Sequence, residues 1–246
     1  MGNPTIKLSD PRGAWRPVYA RRQALHRTAD DVVLAAWRQD TADFTVDRPQ
    51  AWTLESASRD EREAATAVVL AALAAWPLLH TRAAIRAAAI RAHRAGFAAG
   101  RHLATAPDDD ADYSDDDSVD TVAGADLTDT QADMTAATTL TAAVTATARR
   151  AGRILADTGD PDTATRTVRD GLSLALAIDV AVSAAYGLGL LNAYYSAGRQ
   201  SVDWMTAGDG RVCQACSDAE TGSPYPLLAA PRLPQHPNCR CCLAPA

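Results

Sequence analysis

Lysine is almost missing from this chain: Lys7 is the only one among 24 basic residues, and arginine supplies the rest. So one-sided a choice reflects the bias of a GC-rich coding sequence more than a demand for bidentate guanidinium chemistry. The formal net charge of −6 excludes a generic electrostatic grip on nucleic acid, although it leaves room for a local basic face. Large apolar side chains are scarce as well, with two Phe and 5% aromatics in a sequence that is 47% hydrophobic and dominated by alanine. Helices packed closely through small side chains are therefore favoured over sheets, and a mainly α protein is expected.

Targeting signals are also lacking. The opening MGNPTIKLSDPRGAW has no apolar run to act as a secretory h-region, and Ile6 stands where myristoylation needs Ser or Thr. Cys242 is fifth from the end rather than fourth, which departs from the prenylation pattern. The cysteine count is odd, at five, and all five fall within the last 34 residues. Thiolate ligands in a reducing compartment are expected rather than a disulfide framework.

Along the chain, residues 28–40 and 57–76 have helical spacing, the second opening with a capping box of Ser58 and Glu61 and closed by Pro77. Residues 81–105 predict a further Ala-rich helix carrying Arg82, Arg86, Arg91, Arg94 and Arg101. Ile90 and Phe97 fall among those arginines, which suits a solvated face, while Gly96 and Gly100 would let another backbone approach. Pro107 then introduces DDDADYSDDDSVD, eight Asp in thirteen residues, which repel one another and read as a linker or loop. Counting a calcium loop from Asp108 puts Tyr113 and Val119 where Gly and Glu are required, so an EF-hand is not expected.

Thr128 and Gln131 form a second capping box, and a helix is expected from about residue 129 to Asp157, before Gly159-Asp160-Pro161. One more helix is expected from Thr163 to Gly198, with a break or close crossing at Gly187 and Gly189. The apolar length from Gly171 to Tyr195 would span a bilayer, but Asp179 in its middle is costly there. Burial within a bundle or a homo-oligomer is the favoured reading, with no membrane partner. The resulting organisation is a helical region 1–106, an acidic linker or loop 107–126, a long-helix region 127–200 and a metal module 201–246.

The chemistry is concentrated in that module. Cys213-Gln-Ala-Cys216 and His236-Pro-Asn-Cys239 each offer two soft donors three residues apart, together the four that tetrahedral Zn²⁺ takes in structural sites. Cys213, Cys216, His236 and Cys239 are therefore the expected ligands, with Cys241 the rival for the fourth place and Cys242 a bystander. The segment 217–235 contains Gly222 and four prolines, so a short hairpin and extended strands are expected between the knuckles. A module this small has little core of its own, and metal would supply much of its folding free energy.

Trp204, Asp209, Arg211-Val212-Cys213-Gln214-Ala215-Cys216, Gly222 and His236-Pro237-Asn238-Cys239-Arg240-Cys241 together resemble the carboxy-terminal signature of the phage head morphogenesis proteins, or Mu F-like minor head proteins. The resemblance covers about the last 45 residues. Upstream the chain departs from it, with Ile178-Asp179 and Asn192-Ala193 where a Thr-Glu pair and an Asn-Gly are usual. It implies a structural, non-enzymatic minor protein of a tailed bacteriophage, acting in prohead assembly beside the portal and the major capsid or scaffold proteins. The place implied is the host cytoplasm during assembly and then the virion, at the portal vertex or inside the capsid near packaged double-stranded DNA. Four residues follow Cys242 here, so no toxin or enzyme domain beyond the motif is expected.

Two rivals follow from the residues themselves. A zinc-ribbon nucleic-acid binder would use Arg211, Arg232 and Arg240 as phosphate contacts, unless Asp209, Asp218 and Glu220 neutralise them. A zinc-supported His-Asn-His nuclease would need a general base, yet His236 is the only histidine after His102 and the metal claims it.

Overall fold

The computed structural model of the chain describes residues 11–47, 58–105 and 127–246. The acidic stretch expected as a linker lies outside the described residues. Among the described residues six helices precede a small antiparallel sheet, so the fold is mainly α, with short strands seen there only in the carboxy-terminal module. By contacts the chain forms two compact units: one of residues up to Arg27, Ala87–Ala132 and Asp179–Ala246, the other of Thr28–Arg86 and Asp133–Ile178.

Helix α1 (Pro11–Asp40) begins well before the expected residue 28 and carries Pro17 inside it. Its buried stripe explains the difference: Val18, Arg22, His26, Ala29, Val33 and Trp37 follow one another at three- and four-residue steps. The upstream half of that stripe is polar, so hydropathy does not register it. Helix α2 (Arg59–Ala74) starts at the expected capping box, where the Ser58 amide donates to Glu61 Oε2 at 2.6 Å and the Glu61 amide to Ser58 Oγ at 3.3 Å. Helix α3 (Leu79–Thr105) follows Pro77. Its arginines are solvated as expected, Arg82, Arg91 and Arg101 being exposed and Arg86 and Arg94 half-buried, whereas Phe97 among them is buried. Helix α4 (Asp129–Thr158) opens on the Thr128–Gln131 capping box and stops at Gly159, φ 63°.

The single helix expected from Thr163 to Gly198 is two. Helix α5 (Pro161–Asp170) is capped by Asp160, whose carboxylate accepts from the amides of Asp162 and Thr163 at 2.9 and 3.3 Å. It ends at Gly171, where φ is 63°. That left-handed turn, which a side chain resists, is the physical reason for the break. Helix α6 (Leu174–Ser196) then runs unbroken through Gly187 and Gly189.

In the unit of residues 28–86 and 133–178, Trp37 is fully buried and donates from Nε1 to the Val168 carbonyl at 2.6 Å. Phe44 packs edge-on against Trp76 at 5.2 Å, and its carbonyl accepts from Arg169 Nε and Nη2 at 3.1 and 2.9 Å. Asp40 ends α1 and caps the start of α3, its carboxylate accepting from the amide and hydroxyl of Thr81 at 2.7 Å each. His80 adds its ring Nδ1 at 2.7 Å. Burial alone would raise the Asp40 pKa, but these hydrogen bonds outweigh it and hold the carboxyl below its ordinary value.

In the other unit, α3 and α6 cross backbone to backbone, as their glycines suggested. A Cβ built at Gly96 would lie 2.1 Å from the Tyr186 carbonyl oxygen, and one at Gly189 2.2 Å from that of His93. Beyond α6, β1 (Ser201–Met205) is the centre of a three-stranded sheet, paired antiparallel with β2 (Tyr225–Pro226) and β3 (Cys242–Pro245). Val202 faces both Tyr225 and Pro245, while Trp204 pairs with Leu243 and Met205 with Cys242. Between β1 and β2 lies helix α7 (Gln214–Thr221), where strands were expected. The first knuckle supplies its cap: the Cys213 sulfur accepts from the Cys216 amide, and Gln-Ala-Cys-Ser-Asp-Ala-Glu contains nothing that breaks a helix. A 3-10 turn, Leu227–Ala229, follows β2. The prolines act only after Gly222.

Candidate metal centre

The two knuckles, separated by twenty residues of sequence, meet. Cys213, Cys216 and His236 present donor atoms within 4.8 Å of one another, and so do Cys216, Cys239 and Cys241, with Cys216 common to both groups. Each ligand expected from the sequence therefore falls in one of the two groups, as does the rival Cys241, although neither group holds all four, and these groups could hold a metal ion. Cys242 belongs to neither group; its side chain is buried in β3.

Local geometry prepares each donor. At the amino end of α7 the Cys216 amide points at Cys213 Sγ, 3.5 Å away, and holds that thiol's pKa below the ordinary value. In the second knuckle Asn238 takes φ 61° and the Cys239 amide donates to the His236 carbonyl at 3.2 Å, closing a tight turn between His236 and Cys239. His236 Nδ1 donates to the Pro237 carbonyl at 2.7 Å, which fixes the proton on that nitrogen and leaves Nε2 with a free lone pair. Nε2 lies 3.2 Å from Cys216 Sγ, facing the cluster.

The sulfur spacing suits one ion. Cys216 Sγ and Cys239 Sγ are 3.8 Å apart. With metal–sulfur bonds of about 2.3 Å, the edge of a tetrahedron measures about 3.8 Å. A hydrogen bond from the Cys241 thiol holds Cys239 down at about 5, whereas burial pushes Cys216 up to about 12. Proton release from Cys216 therefore has to be coupled to metal capture.

The knuckle is fastened by residues that sequence patterns did not single out. Arg22 on α1 donates from Nη1 to the Cys241 carbonyl and from Nη2 to the Cys239 carbonyl, 2.7 Å each. Asp179 on α6, noticed only as a charge in an apolar helix, accepts from the Asn238 amide at 3.0 Å and from His26 Nδ1 at 2.6 Å. His26 Nε2 in turn meets Ser183 Oγ at 3.2 Å. Ser183, His26 and Asp179 have the connectivity of a hydrolytic triad, but Ser183 has no exposed surface, so no substrate reaches its hydroxyl. The network's work is to orient Asp179 toward the knuckle. On the other side Asp209 takes both Arg240 nitrogens at 2.6 Å each, tying the loop before the first knuckle to the second. That fork holds the Asp209 carboxyl far below its usual range.

The apolar stretch containing α6 is long and apolar enough to cross a membrane by composition, and 56% of its most apolar window is buried within the protein. No family model, curated protein or solved structure matches the chain.

Proposed function

We propose that the chain is a structural minor head protein of a tailed phage whose carboxy-terminal module is closed by one structural Zn²⁺. The observation that carries the reading is the meeting of the two knuckles at Cys216, which stands beside Cys213 and His236 in one group and beside Cys239 in the other, because these residues stand inside the Mu F-like signature quoted above. Zinc suits three sulfurs and one imidazole nitrogen, and four protein ligands leave no open position for catalysis. The remaining signature residues support the same module: Trp204 is buried in β1, and Asp209 grips Arg240. In the loaded site Cys213, Cys216, His236 and Cys239 would bind the ion, and the Cys241 thiol would donate to the Cys239 sulfur.

The role proposed is architectural rather than enzymatic, in prohead assembly beside the portal and the capsid or scaffold proteins. It places the protein in the host cytoplasm during assembly and afterwards in the virion, singly or as a homo-oligomer. Packaged double-stranded DNA is a further partner in this reading. Arg240 and Arg211 are partly neutralised by Asp209, and in the groove between α2 and α4 Arg59 and Arg62 are paired with Glu63 and Asp157, so Arg149 and Arg153 would be the groups offered to phosphate there. Mass spectrometry of purified proheads and virions should find the protein at low copy relative to the shell protein. Its absence from both particles would overturn the head-protein reading and leave the metal module standing.

A further inference from the structure

Arg22 is among the largest fully buried side chains of the protein, and it carries a permanent charge. Its hydrogen-bond partners are two neutral carbonyl oxygens, those of Cys239 and Cys241, and the Tyr19 ring lies 5.2 Å from the guanidinium carbon. Its Nε makes no hydrogen bond among the described residues. Neutral dipoles solvate a buried cation without cancelling it, so a counter-charge is required nearby. Asp179 faces Arg22 through space and supplies part of that charge, while also accepting from His26 at 2.6 Å. A metal held by the second knuckle would add a negative centre on the same backbone that the Arg22 fork grips.

Zn²⁺ held by three thiolates and a neutral imidazole carries a formal charge of −1, which one arginine balances. We propose that Arg22 is the charge partner and positioning residue of the metal centre, so that metal capture and the docking of residues 16–27 of α1 are thermodynamically linked. The fork sets the backbone on both sides of Arg240, which directs the Cys239 sulfur inward. Linkage is reciprocal: whatever Arg22 adds to metal affinity, the metal returns to the docking of that helical segment. The inference rests on the zinc reading of the module and extends it to a residue 191 positions upstream of the first cysteine.

The test uses the full chain with Zn²⁺ alone, in competition with a chromogenic chelator, and with Co²⁺ as a spectroscopic probe. Arg22→Met keeps an unbranched stem and removes the charge and the fork, and zinc affinity should fall about tenfold to a hundredfold. Arg22→Lys restores the charge and should recover about half of that loss on a logarithmic scale, with a Co²⁺ thiolate band close to that of the wild type. Arg169→Met is the matched control, because it also loses two hydrogen bonds to a carbonyl, that of Phe44, and should leave zinc affinity unchanged. If Arg22→Met does not fold, hydrogen exchange on the unmodified protein decides: chelation should deprotect residues 16–27 and leave residues 62–74 as they were. Equal zinc affinity in Arg22→Met and wild type, an equal loss in Arg169→Met, or unchanged exchange in residues 16–27 would each overturn the linkage. A wild-type chain that takes up no zinc sinks the metal reading, and this inference with it.

Discussion

Replacing Gly189 by alanine tests the α3–α6 crossing most directly. A Cβ there would lie 2.2 Å from His93 O, 2.7 Å from Phe97 N and 3.1 Å from Gly96 C, where ordinary contact begins at 3.4 Å. The obstacles are backbone atoms of α3, which cannot rotate aside, so the helices must part. Opening a packed interface by 0.5–1 Å forfeits roughly a quarter to a half of each dispersion contact, and overpacking typically costs about 1–3 kcal/mol. Alanine returns about 1 kcal/mol of helix propensity. Gly187 on the same helix removes that term by comparison, because its Cβ would meet the Leu233 side chain, nearest atom 2.9 Å, and a side chain can shift for about 0.5–1.5 kcal/mol. Gly210 has nothing within 4 Å. In urea titrations of the zinc-loaded protein followed by circular dichroism, Gly210→Ala and Gly187→Ala should be near neutral. Gly189→Ala should lose about 2 kcal/mol. If Gly189→Ala proved as stable as Gly187→Ala, the backbone crossing would be refuted.

Asp40 and the cysteines supply the other expectations. Because the folded pKa of Asp40 is depressed, its contribution is present above the ordinary carboxylate value and is lost as pH falls through the lower folded value. Asp40→Asn should therefore cost about 0.5–2 kcal/mol near pH 7 and progressively less below about pH 4, read from paired urea midpoints across pH. A penalty that stayed constant down to pH 2 would mean the carboxylate charge contributes nothing. For the module, Cys213→Ser and Cys216→Ser should abolish zinc retention and unfold residues 201–246 while helices α2 to α5 persist, by metal analysis and limited proteolysis. Cys239→Ser should behave likewise, whereas Cys241→Ser keeps a hydrogen-bond donor beside the Cys239 sulfur and should retain one zinc per chain. Zinc lost from Cys241→Ser but kept by Cys239→Ser would exchange their roles.

Helix beginnings were the most legible part of the fold, because capping boxes are written in contiguous residues: Ser58 with Glu61 and Thr128 with Gln131 mark α2 and α4 to within a residue. The joint at Gly171 was not, since a glycine inside an apolar run is equally compatible with a close packing contact and with a left-handed cap. Tertiary context decided between them: the glycine sits against Leu34 and Trp37, where a Cβ would be 2.9 Å from a methyl carbon and 2.8 Å from a ring carbon respectively. Helix α7 escaped notice because the four prolines dominate the composition of residues 217–235, although all of them follow Gly222.

The donors of the metal site were legible for a related reason, since two turns of three residues each declare their own chemistry. What fastens them was not, because Arg22, His26 and Asp179 lie 214, 210 and 57 residues before His236, where the knuckle begins, and obey no spacing rule. One trace of them does exist in the sequence. A charged residue that falls on the buried stripe of a helix must meet a partner, and Arg22 sits on the stripe with Val18 and Val33 as surely as Asp179 sits in the apolar run of α6. Opposite charges stranded on two otherwise apolar faces predict that those faces meet at something polar. In this chain the polar object is the backbone of the second knuckle, held from one side by the Arg22 fork and from the other by Asp179. The candidate metal site is therefore built jointly by the carboxy-terminal module and by two helices that precede it, and a fragment of residues 201–246 alone would lack both holds.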